Sequence, residues 1–171
     1  DPAARERFEK AWNLASGTPD DQPGLTVVEV MHAIKSGSVR GMYVMGENPA
    51  MSDPDANKAR DALASLQHLV VQDIFLTETA YLADVVLPAS AFPEKTGSFT
   101  NTDRLVQMGR QAIDPPGDAR QDLWIIQQMA RKLGLDWHYG HVSEVFDEMR
   151  HTMHSIGGIT WERLEREHAV V

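Results

Sequence analysis

The fold is decided by residues 68–88, which read HLVVQDIFLTETAYLADVVLP. Within this stretch, His68–Asp73 and Ala83–Pro88 are short apolar runs that end in polar or small residues. A similar run, Val39–Met45, precedes them and ends at Gly46. Apolar runs without polar alternation are typical of strands covered on both faces in a parallel sheet. The sequence therefore predicts three buried, parallel strands.

Helical periodicity separates and follows these runs. Thr26 is a plausible N-cap with Glu29 three residues later, which predicts a capping box and a helix ending near Gly37. A second helix is predicted over 54–66, with Asp53 as its cap and Pro54 at its first position. Further helices are predicted over 119–133, 142–153 and 160–167. Strands that alternate with helices indicate an α/β fold, here a Rossmann-like three-layer domain with a mostly parallel sheet and helices on both faces.

The chain divides at a linker over Ser16–Gly24, which is rich in proline, glycine and aspartate. We expect residues 1–24 to be an arm from an adjoining element and residues 25–171 to form the α/β domain. A second break is expected at 114–118. The sequence begins at Asp1 without an initiator Met or a signal-peptide pattern, so we expect it to be part of a longer polypeptide.

Composition excludes several functional classes. The 171 residues contain no cysteine, so this chain has no disulfide, cysteine nucleophile, thiolate zinc site or cysteine ligand for an iron–sulfur cluster. The net charge of −9 disfavours broad binding to nucleic acid. No apolar run approaches the ~20 residues that a membrane span requires.

Candidate binding residues follow the strands, because open α/β sheets bind ligands beyond the carboxyl ends of their strands. Gly46 allows close approach to the backbone after the first strand. Gln72 and Asp73 end the second. A carboxylate there can accept both the N1–H and the exocyclic amine of guanine, a donor pair that adenine lacks. The alternative for Asp73 is an Asx-type turn or a helix cap.

Four segments carry a more specific signal. They are Met45–Pro49, Val70–Ala80, Ala83–Ala89 and Glu94–Arg104, in this order and density. Together with the helix start at Asp118–Trp124, they resemble the molybdopterin oxidoreductase family, and most closely its formate dehydrogenase alpha subunits. The resemblance covers about residues 25 to 165.

The resemblance implies a domain that holds a molybdopterin guanine dinucleotide. Family members bind two such molecules, which together hold molybdenum or tungsten, and the parent reaction is oxidation of formate to carbon dioxide. Carried over position by position, the cofactor contacts fall on Gly46, Glu47, Asn48, Gln72, Asp73, Lys95 and Asp122. Two further candidate contacts are Gly97, which permits close backbone approach, and Thr77. Which of Glu47 and Asn48 makes the contact stays open. The alternatives are a surface lysine for Lys95 and an N-cap for Asp122.

The resemblance also indicates what lies elsewhere. The metal's cysteine or selenocysteine ligand and the cysteines of the iron–sulfur module are absent from this chain. We therefore predict no catalytic residue and no metal ligand here, no cofactor bound to the isolated piece, and no formate oxidation by it. The expected partners are other domains of the same subunit and electron-transfer subunits, but neither nucleic acid nor a membrane. We expect a cytoplasmic location.

Three other interpretations stay open. The parent could be a nitrate reductase or the large iron–sulfur subunit of complex I, in which the metal cofactor is lost. The piece could instead serve chiefly in structure and assembly. The pairs His138/His141 and His151/His154 have spacing compatible with zinc, but no third ligand is fixed, and we interpret them as loop and helix-surface histidines.

Overall fold

A three-stranded parallel sheet lies at the centre of the fold, as the computed structural model of residues 1–170 shows. Its strands are β1 (Gly41–Met45), β2 (His68–Asp73) and β3 (Val85–Pro88), in the order β1-β2-β3. The register pairs Tyr43 with Val70 and Gln72 with Leu87. The predicted strands and the α/β class are confirmed.

Residues 1–170 contain seven α-helices. They are α1 (Pro2–Ala11), α2 (Val27–Lys35), α3 (Pro49–Ser52), α4 (Ala56–Ala64), α5 (Asp122–Lys132), α6 (Val142–Thr152) and α7 (Trp161–Glu167). Short 3-10 helices occupy Ala80–Leu82, Phe92–Glu94 and His154–Ile156. None of the helices within residues 1–170 has the length and hydropathy needed to cross a bilayer.

Helix α2 begins where the sequence predicts. The Thr26 hydroxyl accepts a hydrogen bond from the Glu29 backbone N–H, and the Glu29 carboxylate accepts one from the Thr26 N–H at 2.7 Å. The hydrogen bonds that the Glu29 carboxylate accepts from the Thr26 N–H and from the Thr26 hydroxyl lower the pKa of Glu29. The predicted capping box is confirmed, and it satisfies two backbone N–H groups at the start of α2.

The helix predicted over 54–66 is wrong at its start. A single turn, α3, occupies Pro49–Ser52, and α4 begins only at Ala56 with Asp55 as its N-cap. Asp53 precedes a proline and is extended, with ψ at 137°, because the proline ring disfavours helical backbone at the residue before it. Its carboxylate accepts a hydrogen bond from the Asp55 N–H at 2.9 Å.

The main core lies on one face of the parallel sheet. Val44, Leu69 and Val71 pack there against buried side chains of α2 and α4, among them Met31, Ile34, Ala59, Ala62 and Leu63. The opposite face is partly exposed within the described part of the chain, since Tyr43, Met45 and Val85 are each 37 to 47% exposed. Helices thus cover one face closely, and the other face carries the polar residues described below.

A second, antiparallel sheet was not predicted. Strands β4 (Gly97–Thr100), β5 (Val106–Gly109) and β6 (Ala169–Val170) pair in the order β4-β5-β6. Val106 and Val170 pack against Phe146, Trp161 and Leu164 in a core of their own. The strands are two to four residues long, and β6 comes from the far end of the chain, so local periodicity carries no signal for this sheet.

The helix predicted over 119–133 does not begin at residue 119, because Arg120 instead bridges to the chain just after β3. Ala89 and Arg120 form an isolated parallel bridge, and the Arg120 carbonyl accepts a hydrogen bond from the Ser90 N–H at 2.9 Å. Helix α5 therefore starts at Asp122, beside the carboxyl end of β3. This placement brings its first residue to the predicted binding edge.

The N-terminal residues predicted as an arm include α1, which contacts α6. The Arg7 guanidinium donates to the Thr152 carbonyl at 2.9 Å, and the Trp12 indole N–H donates to Glu148 at 2.8 Å. The division into residues 1–24 and 25–171 stays a prediction. Val171 lies outside the described residues.

Candidate functional site

The carboxyl edge of the parallel sheet gathers most of the predicted binding residues. Gly46 follows β1 with φ at +64° and has open space where a Cβ would stand. Its N–H donates to the Gln72 carbonyl at 2.9 Å, which ties the first loop to the end of β2. A glycine is favoured here because side-chain-bearing residues rarely adopt this backbone conformation.

Asn48 connects the two loops at this edge. Its carbonyl oxygen accepts hydrogen bonds from the Thr79 N–H at 3.1 Å and the Thr79 hydroxyl at 2.8 Å. Its amide donates to Glu78 at 2.7 Å, and this bond is the main reason that the pKa of Glu78 lies below its ordinary value. Asn48 is thus occupied within the protein.

Glu47 is the more available of the two neighbouring candidates. It is exposed, and its carboxylate makes no hydrogen bond to any other residue in 1–170. It also lines a cleft of about 500 Å³ beside β1, together with Leu25, Met31, Met42 and Met45.

The Asp73 side chain caps the turn that follows β2, which was the alternative to ligand binding. One of its two carboxylate oxygens still has no hydrogen-bond partner within residues 1–170. Its Oδ1 accepts hydrogen bonds from the N–H groups of Ile74 at 2.7 Å and Phe75 at 3.3 Å. Its Oδ2 has no hydrogen bond within residues 1–170, and the side chain is half-buried at the strand end. Thr77, in the same loop, caps the following turn by accepting from the Ala80 N–H at 3.2 Å.

Gln72 differs from Asp73 in both surroundings and direction. Successive side chains of a strand point to opposite faces, so these two neighbours diverge. Gln72 is 0% exposed, and its amide donates to Asp122 Oδ1 at 2.6 Å. Its carbonyl oxygen accepts from the Tyr43 hydroxyl. Gln72 therefore lies inside the protein, where direct contact with a ligand is blocked.

Lys95 and Asp122 form an ion pair next to Gln72. The Lys95 ammonium donates to Asp122 Oδ2 and to the Ser90 carbonyl, the latter at 3.0 Å. The side chains are only 23% and 31% exposed. Lys95 is therefore not a solvated surface lysine. Asp122 is not the N-cap of α5 either, since Gln121 occupies that position without a side-chain bond.

Two further residues at this edge, Tyr43 and Ser90, are not among the predicted site residues. Tyr43 belongs to the apolar strand β1, and Ser90 follows β3. The Ser90 hydroxyl is fully buried and has no hydrogen-bond partner within the part of the chain described. Gly97, in contrast, begins β4 and pairs with Gly109, so it belongs to the antiparallel sheet rather than to a binding loop. Tyr43 could have been found from the alternation of side chains along the strands. It pairs with Val70 of β2, and Val70 and Gln72 lie on the same face of the sheet, so Tyr43 lies on the face of Gln72.

Three of the four histidines with zinc-like spacing have protein partners for their side chains. His138 lies against Asp136 and Arg131, and His151 lies 3.5 Å from Asp147. Residues 1–170 contain no group of three or more His, Asp or Glu side chains placed to hold a metal ion.

Comparison with known proteins places the chain in a family. The family model for molybdopterin oxidoreductases matches residues 11–132. The chain is 47% identical to the alpha subunit of a formate dehydrogenase from Methanocaldococcus jannaschii, over 92% of this chain and 23% of that protein. It is 38% identical to formate dehydrogenase H of Escherichia coli, over 96% of this chain and 23% of that protein. The chain thus spans less than a quarter of the length of these two relatives.

The fold recurs in a solved structure. Acetylene hydratase from Pelobacter acetylenicus matches 99% of this chain with 24% of its own length, at a TM-score of 0.71 and 21% identity. At this identity the match concerns the fold. Since the family model covers most of the chain, including both predicted loops and the start of α5, this protein belongs to the molybdopterin oxidoreductase family.

Proposed function

We propose that this domain holds the guanine end of a molybdopterin guanine dinucleotide in the alpha subunit of a formate dehydrogenase. Family membership supports a molybdopterin cofactor, and the two relatives named above, 47% and 38% identical, bear the name formate dehydrogenase. When bound, this cofactor supplies a metal centre that accepts two electrons from formate. The chain's own residues bind and orient the distal, purine-bearing part.

The free oxygen of Asp73 is the observation that carries the proposal. Oδ1 is held by two backbone N–H groups, so the plane of the carboxylate is fixed. Oδ2 remains available at the carboxyl edge of the sheet, where α/β folds bind ligands. A fixed carboxylate can accept from the paired donors on the guanine edge without loss of side-chain freedom on binding.

The surrounding groups fit a guanine dinucleotide as well. Lys95 has three N–H donors, of which two are used by Asp122 and Ser90, so one remains for a phosphate or pterin oxygen. The buried Ser90 hydroxyl lacks a partner within residues 1–170. Gly46 leaves its backbone open to close approach. Glu47 and Thr77 complete the proposed contacts.

The remainder of the enzyme belongs to the same proposal. The metal's protein ligand and the iron–sulfur centre reside in the rest of the polypeptide, because this chain has no cysteine. The isolated chain is inactive with formate. Its partners are the other domains of the subunit and electron-transfer subunits, in a cytoplasmic enzyme.

Asp73→Asn in the full-length subunit tests the guanine contact. Asparagine keeps the Oδ1 acceptor for Ile74 and Phe75 but replaces Oδ2 by an NH₂ donor, which opposes the donors of guanine. The loss of a charged hydrogen bond, about 2 kcal/mol, corresponds to about 30-fold weaker retention of the cofactor. The measurement is molybdenum or tungsten and acid-released GMP per polypeptide after gel filtration.

Asp20→Asn is the matched control, since Asp20 also accepts from a backbone N–H two residues later, at an exposed site in the linker. It should leave the GMP content unchanged. Wild-type GMP content in Asp73→Asn contradicts the proposal.

A further inference from the structure

Four polar side chains form a row of hydrogen bonds across the partly exposed face of the parallel sheet, opposite the main core. The Tyr43 hydroxyl of β1 donates to Gln72 Oε1 of β2, and Gln72 Nε2 donates to Asp122 Oδ1 at the start of α5. Lys95 donates to the other oxygen of Asp122. Residues from four parts of the chain thus meet in one continuous hydrogen-bonded array.

The order of donors and acceptors in this array is fixed by chemistry. A carboxylate only accepts hydrogen bonds, so the NH₂ group of Gln72 must face Asp122. The carbonyl oxygen of Gln72 then faces Tyr43, whose hydroxyl must donate. Burial and the charge of Asp122 both raise the pKa of Tyr43, which keeps the hydroxyl protonated as this arrangement requires.

Neither the Gln72 amide nor the Tyr43 hydroxyl is free to bind a ligand directly. Gln72 is completely buried, and each end of its amide is occupied by a protein partner. The Tyr43 hydroxyl is directed at Gln72. The Tyr43 hydroxyl and the Gln72 amide therefore act on a ligand through Asp122, whose two oxygens accept from Gln72 and Lys95.

We infer that Tyr43 and Gln72 are positioning residues, which fix the Asp122 carboxylate and through it the direction of the Lys95 ammonium. The inference rests on the proposed function for the contact between Lys95 and the cofactor. With Asp122 and the Ser90 carbonyl fixing two of its N–H groups, Lys95 presents the third in one direction. Tyr43, about 37% exposed and far from Lys95 in sequence, is thereby part of the binding site.

A double-mutant cycle in the cofactor-loaded, full-length subunit tests this role. The variants are Tyr43→Phe, Lys95→Met and the combination, and the readout is the rate at which GMP-bearing cofactor leaves the protein. Lys95→Met should accelerate release about 10-fold or more, because a charge-assisted hydrogen bond is lost. Tyr43→Phe should accelerate it about 5-fold. In the Lys95→Met background, Tyr43→Phe should add nothing, because the residue that it positions is gone.

Tyr81→Phe is the matched control. The Tyr81 side chain is 74% exposed, and its hydroxyl makes no hydrogen bond within residues 1–170. Its removal should leave the release rate at the wild-type value. Asp122→Asn provides a second background, since it keeps an acceptor for Gln72 and removes the charge that holds Lys95; Tyr43→Phe should add nothing there either.

The possible outcomes separate this inference from the proposed function. Equal acceleration by Tyr43→Phe with and without Lys95 shows an independent structural role and refutes the inference. An unchanged rate in Tyr43→Phe also refutes the inference, whereas an unchanged rate in Lys95→Met refutes the contact between Lys95 and the cofactor on which the inference rests. The guanine contact itself is judged separately by the GMP content of Asp73→Asn, which does not depend on Lys95.

Discussion

Replacing Asp122 by asparagine or by alanine separates two interactions that meet at its carboxylate. Asparagine keeps an oxygen that can accept from Gln72 and removes the charge that pairs with Lys95. Alanine removes both partners at once. Because Gln72 is 0% exposed, its NH₂ group has no access to water when the acceptor is lost.

The expected losses follow from burial. Exposed ion pairs contribute about 0.2–1 kcal/mol, and breaking a fully buried pair costs about 3–5 kcal/mol. The Lys95 and Asp122 side chains are 23% and 31% exposed, so Asp122→Asn should lower the free energy of unfolding by about 1–2 kcal/mol. The unpaired, buried amide of Gln72 should add about 2 kcal/mol in Asp122→Ala.

Urea unfolding of this chain, followed by circular dichroism, measures the difference. With a urea m-value of about 2 kcal/mol/M, the two variants should differ by about 1 M in midpoint. Asp147→Asn is a control for an exposed pair, because Asp147 is 55% exposed in its contact with Arg150. It should cost less than about 1 kcal/mol. Equal midpoints for Asp122→Asn and Asp122→Ala would refute the dependence of Gln72 on Asp122.

Two further predictions concern other hydrogen bonds. Asn48→Ala should lower the free energy of unfolding by about 1–3 kcal/mol in the same assay, because the buried Thr79 loses its acceptor. Asn101→Ala is the control. It removes one exposed hydrogen bond from the Leu105 N–H and should cost about 1 kcal/mol or less. The hydrogen bond to Glu148, together with burial, raises the pKa of Tyr139 to about 12, above the ordinary value of about 10. The hydrogen bond of the Tyr139 hydroxyl therefore stabilises the fold fully below pH 10, and this stabilisation is lost as the pH rises towards 12. The urea midpoints of the wild type should fall more steeply over this range than those of Tyr139→Phe. Parallel curves would contradict the raised pKa of Tyr139.

The parallel sheet could be predicted because each of its strands is a continuous apolar run. His68–Asp73 and its two partners need no distant residue to be recognised, and their order along the chain gives a parallel arrangement. The antiparallel sheet could not, since β6 has only Ala169 and Val170 and meets β5 some 60 positions away in sequence. The start of α4 was misplaced because both Asp53 and Asp55 are suitable caps, and only the extended backbone before Pro54 decides between them.

The sequence predicted most residues of the candidate site, but it did not predict what several of them do there. Gln72, Lys95 and Asp122 meet as expected, although Gln72 is buried and Asp73 points away from it. Sequence order suggests that adjacent residues act together, whereas the pleat of a strand separates them. Tyr43 was missed because an aromatic residue in an apolar run is normally assigned to the core, and its polar hydroxyl gains a role only from the register with β2.

A structure of the full-length subunit loaded with its cofactor tests the central claim most directly. We predict a guanine ring whose N1–H and exocyclic amine both donate to the Asp73 carboxylate within hydrogen-bond distance, with Lys95 directed at the same molecule. A guanine seated elsewhere in the subunit, with the Asp73 carboxylate facing only water or protein, would contradict it.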